Sequence, residues 1–295
     1  MAATNGEPPA VARQRVRRAL RKAREATPLT QGDVATKLGW SLSKMQRIES
    51  AEVAVSLTDL RALLDVYGVV NEDEIARLSR AAQTSRRQRW VTPPEHREYL
   101  TPAMRQLLEL EMRAVSIRAY QNVILPGVLQ TPAVARAILD FSGDRLSGDA
   151  RRVRFDVRMQ RRKRLIEDAE APTYQLILDE SVIKRVIGGT EVMVEQLEAL
   201  AAAALRPHVR IRMVPFSESV PIGLVDAFQI VNLSDADDDA VIYREFYTDD
   251  KVVADPAEVR QCRETFEEIW TASLTEADTV EAIATEVANL RTRPE

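Results

Sequence analysis

Residue types that carry metal and nucleophilic chemistry are scarce in this chain. Its 295 residues include one cysteine, Cys262, and two histidines, His96 and His208. One cysteine excludes an internal disulfide framework, and two histidines far apart in sequence argue against a zinc site. Cys262 shares a helical stripe with apolar residues, which favours a core position over the basic, partly exposed setting of a catalytic thiol. We therefore expect no enzyme, no metal site and no cofactor.

Long apolar runs are also missing. No stretch approaches the ~20 residues that cross a membrane, and residues 1–9 lack the apolar core of a signal peptide. Gly188-Gly189 lacks the further glycines and the lysine of a phosphate-binding loop. The acidic run 235–239 lacks the glycine and the glutamate spacing of a calcium loop. We expect a cytoplasmic, nucleoid-associated protein with no membrane partner.

Charge is distributed unevenly along the chain. Residues 1–90 hold 16 Lys or Arg against 10 Asp or Glu, whereas residues 91–295 hold 25 against 35. A basic first part with an acidic remainder is typical of one DNA-facing domain followed by a domain with another partner.

Residues 29–49 are the most informative stretch, because they predict two short helices joined by a tight turn. Thr30 is a suitable N-cap with Asp33 as its capping partner three residues on. Gly39 stands where the turn needs positive φ, and Ser41 is placed to cap the second helix. This is the arrangement in which a helix-turn-helix offers its second helix to the major groove of DNA.

Polar side chains of the second predicted helix face outwards, since Met45 and Ile48 point inwards at i and i+3. Serine, lysine and arginine bond base edges or phosphates, and arginine grips guanine with two hydrogen bonds. Leu42 is placed to contact a thymine methyl group. The polar residues expected at the groove are Ser43, Lys44 and Arg47.

The stretch resembles the phage-repressor-type (XRE) helix-turn-helix, with the pattern Leu-Thr-Gln-x-x-Leu-Ala-x-x-Leu-Gly-x-Ser-x-Ser-x-Ile-Ser-Arg-x-Glu. The resemblance implies that Gln31 contacts a phosphate and positions the module, and that Glu49 supports the fold. Met45 replaces the usual Ile, a tolerable core substitution. Gln46 stands where Ser is common, so the base preference of a relative does not transfer. The resemblance assigns the groove lining to Ser41, Leu42, Ser43, Lys44 and Arg47.

Helical patterns and turn residues predict the domain organisation. We expect a disordered tail over 1–10, an all-α helix-turn-helix domain of five helices over 11–82, a proline-containing linker over 83–102, and an α+β domain over 103–295. The outer face of the first helix is arginine-rich, and it either contacts the DNA backbone or forms a solvated surface. Those arginines are Arg13, Arg17, Arg18, Arg21 and Arg24.

The second domain alternates strand-like and helix-like segments. Apolar residues alternate with arginines over 209–213, which is the period of a half-buried strand. Further strands are expected over 116–122, 174–179, 227–233 and 240–246. We expect one mainly antiparallel sheet covered by helices.

A second resemblance covers most of the remaining chain. Leu-Pro-Gly-Val-Leu-Gln-Thr-Pro over 125–132, followed by Ala-Arg-Ala over 135–137, is similar to a motif of a large family of actinobacterial regulators. Members are called WhiJ-like or antitoxin-like, and in them an XRE domain precedes a domain of unknown function. The resemblance implies a transcriptional regulator with a small partner protein.

Arginine and lysine crowd the segment 151–164, with eight positive charges against Asp156 alone. The favoured interpretation is a surface that pairs with nearby or distant acidic residues of the fold. An acidic partner protein or extra DNA contacts are the alternatives that the sequence leaves open.

The function that these patterns favour is a sequence-specific regulator. It would bind a double-stranded DNA operator as a homodimer, and its second domain would sense a partner protein or a small-molecule effector. The alternative is an antitoxin-like interaction module that neutralises a small partner protein, with DNA binding secondary.

Overall fold

The computed structural model describes residues 9–50, 53–86, 94–218, 225–234, 239–245 and 250–292. Its α-helices are α1 (Pro9–Glu25), α2 (Gln31–Leu38), α3 (Leu42–Glu49), α4 (Leu57–Val66), α5 (Glu72–Arg86), α6 (Pro102–Glu111), α7 (Pro132–Asp140), α8 (Gly148–Arg162), α9 (Glu180–Lys184), α10 (Thr190–Ala204), α11 (Pro256–Ala272) and α12 (Glu276–Thr292). Its strands are β1 (Ser116–Gln121), β2 (Thr173–Asp179), β3 (Val209–Val214), β4 (Phe228–Asn232), β5 (Ala240–Glu245) and β6 (Asp250–Val253).

The first five helices form one small domain around a shared apolar core, as predicted. Each helix contributes fully or nearly fully buried side chains, among them Leu20, Val34, Met45, Leu60 and Leu78. Burial of such side chains contributes roughly 1.5–3 kcal/mol each. This core holds the helix pair α2–α3 rigidly on its surface.

The predicted tail and linker are only partly described. Residues 9 and 10 already belong to α1, and the rest of the predicted tail lies outside the described residues. Beyond the expected domain end at residue 82, α5 continues to Arg86, and Pro94–Tyr99 forms a 3₁₀ helix. Residues 87–93 lie outside the described part of the chain, so the linker stays a prediction.

A six-stranded mixed sheet of order β3-β2-β1-β4-β5-β6 organises the second domain. The pairings β1–β4, β4–β5 and β5–β6 are antiparallel, and β1–β2 and β2–β3 are parallel. The predicted α+β class is therefore confirmed, with an unexpected parallel half. Parallel neighbours need long crossovers, which here contain α7 and α8 before β2 and then α9 and α10 before β3. The four-residue β6 escaped sequence analysis.

Helices cover both faces of this sheet. One face packs against α10 and α12 through a cluster that includes Leu176, Leu197 and Ile283, all fully buried. The opposite face packs against α11 through Phe266 and Ile269. Cys262 lies in this second cluster, so its predicted core position is confirmed.

Most basic residues of the segment 151–164 make hydrogen bonds or ion pairs with other residues of the fold. Arg162 pairs with Glu167, and Arg161 pairs with the buried Glu111. Backbone carbonyls accept hydrogen bonds from other members of the run, a role that the sequence did not suggest: Arg151 binds Gly143 and Leu146, Arg154 binds Tyr99, and Arg164 binds Met112. The favoured interpretation of intramolecular pairing is confirmed for Arg161 and Arg162.

Candidate nucleic-acid interface

Local hydrogen bonds place the α2–α3 pair as the sequence predicted. The Thr30 hydroxyl accepts a hydrogen bond from the Asp33 backbone N–H at 3.2 Å, while the Thr30 backbone N–H donates to the Asp33 carboxylate at 2.9 Å. Gly39 ends α2 with φ of 66°, a conformation that other residues adopt at a cost. The Ser41 hydroxyl then caps α3 by accepting from the Lys44 N–H. Both caps and the turn are confirmed.

One side of α3 is buried and the other is open. Met45 and Ile48 are buried in the domain core, as expected. The predicted contact residues with exposed side chains are Ser41, Leu42, Ser43 and Arg47, while Lys44 and Gln31 are half-buried. Leu42 is 48% exposed.

Lys44 is held by two contacts that sequence analysis missed. Its Nζ lies 3.0 Å from Asp59 Oδ1 on α4 and 3.7 Å from the centre of the Trp40 ring. A cation over an indole face is attracted by the ring quadrupole. Asp59 lies in the first turn of α4, and nothing in the spacing of the sequence shows that α4 approaches α3 at this point.

Gln31 and Glu49 belong to one buried network. Glu49 is 3% exposed, and its carboxylate accepts two hydrogen bonds from Arg24, of 2.7 and 3.1 Å. It also accepts one of 2.7 Å from the Gln31 amide. The hydrogen bonds between Arg24 and Glu49 raise the pKa of Arg24, although burial alone would lower it. The network ties α1, α2 and α3 together, so the implied supporting role of Glu49 fits its geometry.

Three arginines of α1 make contacts that neither interpretation offered. Arg17 is 3% exposed, and its Nη1 donates to the Ala254 carbonyl after β6 at 2.7 Å. Arg18 pairs with Asp239, also in the second domain, at 3.1 Å. Arg24 serves the Glu49 network. A DNA-backbone or purely solvated role is therefore wrong for Arg17 and Arg24, because tertiary contacts bury them.

Two protein-family models match the chain, one in each domain. A model described as a helix-turn-helix domain matches residues 15–78, which covers α2 and α3 with the helices around them. A model described as a domain of unknown function, DUF5753, matches residues 104–285, more than half of the chain. The chain belongs to the DUF5753 family.

The DUF5753 match begins within α6 and ends within α12, so it includes all six strands. The helix-turn-helix domain that precedes it indicates a DNA-binding regulator. No curated protein and no solved structure matches the chain. Within the described residues no helix is long and apolar enough to cross a membrane, and no cluster of three or more potential metal ligands occurs.

Proposed function

We propose that this DUF5753 protein is a sequence-specific transcriptional regulator that reads its operator through α3. The observation that carries the proposal is the exposed edge of α3 on a capped and rigidly packed helix pair. Ser43, Lys44 and Arg47 would contact base edges, while Ser41 and Leu42 would line the groove. The Gln31 side-chain amide donates one N–H to Glu49, and its second N–H would donate a hydrogen bond to a DNA phosphate.

Binding as a homodimer is part of the proposal. One module of this size reaches few base pairs, so two modules would read half-sites about one helical turn (~10 base pairs) apart. Analytical ultracentrifugation of the free protein and of its complex tests this. A 1:1 complex with a tight operator at all concentrations would contradict it.

A genome-wide footprint of the protein on its own chromosome tests the proposal as a whole. We expect a small set of sites that share a short, two-fold symmetric sequence. Fluorescence anisotropy at near-cellular salt should then show tighter binding to such a site than to scrambled duplex. Equal affinity for both at that ionic strength would overturn the proposal, since phosphate contacts alone carry no sequence information.

Arg47→Ala is expected to weaken operator binding by roughly 1–3 kcal/mol and to relax discrimination at one base position. The reason is the loss of an arginine that is placed to bond a guanine edge. Anisotropy titrations against single-base operator variants provide the measurement. Arg77→Ala is the matched control, because Arg77 is an exposed arginine of the same domain that pairs with Glu74 on α5. Identical titrations for both variants would refute the role of Arg47.

Asp59→Asn is expected to strengthen DNA binding by roughly 1.4-fold to fivefold, which corresponds to the ~0.2–1 kcal/mol of an exposed ion pair. The substitution frees Lys44 from its ion pair and removes a negative charge beside α3. Asp65→Asn on the same helix makes the same charge change at an exposed position and is the control. Unchanged binding for Asp59→Asn would contradict this expectation, and weaker binding would instead show that the Asp59 pair orients Lys44 for DNA.

Sensing by the second domain is the remaining part of the proposal. It is supported by the position of α1, which connects the two domains. Leu20 of α1 lies in the core of the first domain, and Val11 of α1 packs against the apolar cluster over β5 and β6. Arg17 reinforces the junction. A ligand or partner that binds differently to two arrangements of this junction would change operator affinity.

The WhiJ-like, antitoxin-like alternative rests on the resemblance of residues 125–137. It requires a complex with a small partner protein encoded beside this gene. Co-purification of the two products would support it. Tight operator binding by a protein that forms no such complex would count against it.

A further inference from the structure

Three arginines of α8 are at least partly buried. Arg154, Arg158 and Arg161 follow each other at intervals of four and three residues, which places them on one helix face. Arg161 is neutralised, because its Nε and Nη2 lie 2.9 and 2.6 Å from the two carboxylate oxygens of Glu111. Gln229 on β4 donates a further hydrogen bond to that carboxylate.

Arg158 has no such counter-charge. Its Nη1 is buried and makes no hydrogen bond with any residue that the structure describes. Glu245 is the acid whose charge acts on Arg158 most strongly, but no carboxylate of the described residues forms an ion pair with Arg158. Burial lowers the pKa of the Arg158 guanidinium, and the neighbouring charges of Arg161 and Arg154 act in the same direction.

The turn that contains Gly127 packs closely against the Arg158 side chain. A Cβ atom added to Gly127 would lie 3.3 Å from Arg158 Nε and 3.4 Å from its Cγ, so the turn after β1 approaches the arginine too closely for a larger residue to fit without displacement. The same turn is fixed by Arg162, which donates to the Leu129 and Gln130 carbonyls, and by Gln196, which donates to Leu129. Arg158 is therefore preorganised, while part of its side chain stays open to solvent.

A charged donor that is desolvated and unpaired lowers the stability of a fold. A bound ion or ligand that completes the hydrogen bonds is one explanation of such a group. Arginine matches the oxygen spacing of phosphate and carboxylate groups better than any other side chain.

We propose that Arg158, with Arg154 beside it, binds an oxyanion group, either phosphate or carboxylate, of a small-molecule effector. This inference rests on the proposed sensing function and names its ligand chemistry. The site also adjoins the segment between the two domains, because Arg154 Nε donates at 3.2 Å to the Tyr99 carbonyl at the end of the 3₁₀ helix. An oxyanion competes with that carbonyl for Arg154, which connects occupancy to the segment before α6.

Isothermal titration of the full chain with two probes tests the site, with chloride used to match ionic strength. Inorganic phosphate is one probe and citrate, a carboxylate, is the other. Arg158→Met removes the charge and keeps an unbranched apolar stem, and Arg158→Gln serves if the methionine variant does not fold. Arg152→Met is the control on the same helix, because the Arg152 side chain is 65% exposed and pairs with Asp149.

We expect saturable 1:1 binding of at least one probe by the unaltered chain and by Arg152→Met. The Arg158 variant should bind that probe at least about tenfold more weakly, the effect of losing a charge-assisted bidentate contact. Tighter binding of phosphate or of citrate tells which oxyanion the site prefers. Equal affinity in all three proteins, or no binding of either probe, would overturn the proposal.

Thermal unfolding without either probe separates a ligand site from a structural role. Arg158→Met is expected to raise Tm by about 2 °C or more, because it removes a charged group whose Nη1 is buried without a hydrogen bond to the described part of the chain. A fall in Tm together with unchanged probe binding would assign Arg158 to structure alone and overturn the site. Neither assay contains DNA, so the oxyanion site and operator binding are tested separately. If no oxyanion binds but the operator does, the proposed regulator function still holds. If an oxyanion binds but the operator does not, the oxyanion site still holds.

Discussion

Glu49→Ala is expected to lower the free energy of unfolding by about 3–5 kcal/mol, the usual cost of breaking a buried ion pair from one side. The Arg24 side chain is 13% exposed and would keep its charge with only the exposed Glu25 carboxylate, 3.9 Å from its Nη2, left as an ion-pair partner. Gln31 would lose its acceptor as well. Urea denaturation followed by circular dichroism measures the change.

Glu74→Ala is the control for that experiment, since Glu74 pairs with Arg77 on the surface of the same domain. Its expected cost is within about 0.5 kcal/mol. The double variant Arg24→Met, Glu49→Met should recover much of the lost stability, because both buried charges are then removed. A Glu49→Ala protein as stable as the Glu74→Ala protein would show that the Arg24 network contributes nothing to the fold.

Glu111→Ala is expected to cost a similar amount, about 3–5 kcal/mol. The Glu111 side chain is 2% exposed and accepts hydrogen bonds from Arg161 and Gln229, so its removal leaves a buried guanidinium and a buried amide without their acceptor. It also leaves three uncompensated arginines along one face of α8. Thermal and urea unfolding of the full chain give the measurement.

Glu198→Ala is the matched surface control in the same domain, because Glu198 pairs with Arg291 and both side chains are more than half exposed. We expect little change in its unfolding midpoint. Phosphate should stabilise Glu111→Ala at least as strongly as it stabilises the unaltered chain, since the proposed oxyanion site becomes more positive. A near-native Glu111→Ala protein would contradict the assigned role of the Glu111–Arg161 pair.

Local chemistry explains why the helix-turn-helix was predictable. The Thr30 cap, the positive φ of Gly39 and the Ser41 cap each depend on residues at most three positions apart. Hydrogen bonds between residues so close in sequence can be predicted from the residue types, and the inward positions of Met45 and Ile48 can be predicted from their spacing. The DNA contacts assigned to α3 stay predictions that the operator experiments test.

The side-chain partners and strand directions that sequence analysis missed depend on contacts between residues far apart in the chain. Lys44 and Asp59 are 15 residues apart, and Arg17 and Ala254 are 237 apart. No periodicity reports which distant group a side chain meets. The parallel pairings of β1, β2 and β3 were missed for a related reason, because a strand has the same alternating pattern whichever way its neighbour runs.

The amino-acid sequence by itself determined the five-helix domain, its capped turn, the α+β class of the remainder and the buried place of Cys262, since these depend on local propensity and apolar spacing. Only the tertiary structure decided which charges are neutralised. It buries Arg17 at the domain junction, pairs Arg161 with Glu111 and leaves Arg158 without a carboxylate partner among the described residues. The physical reason is that the energy of a charge depends on its burial and on partners brought near by folding, and neither is a property of sequence neighbours.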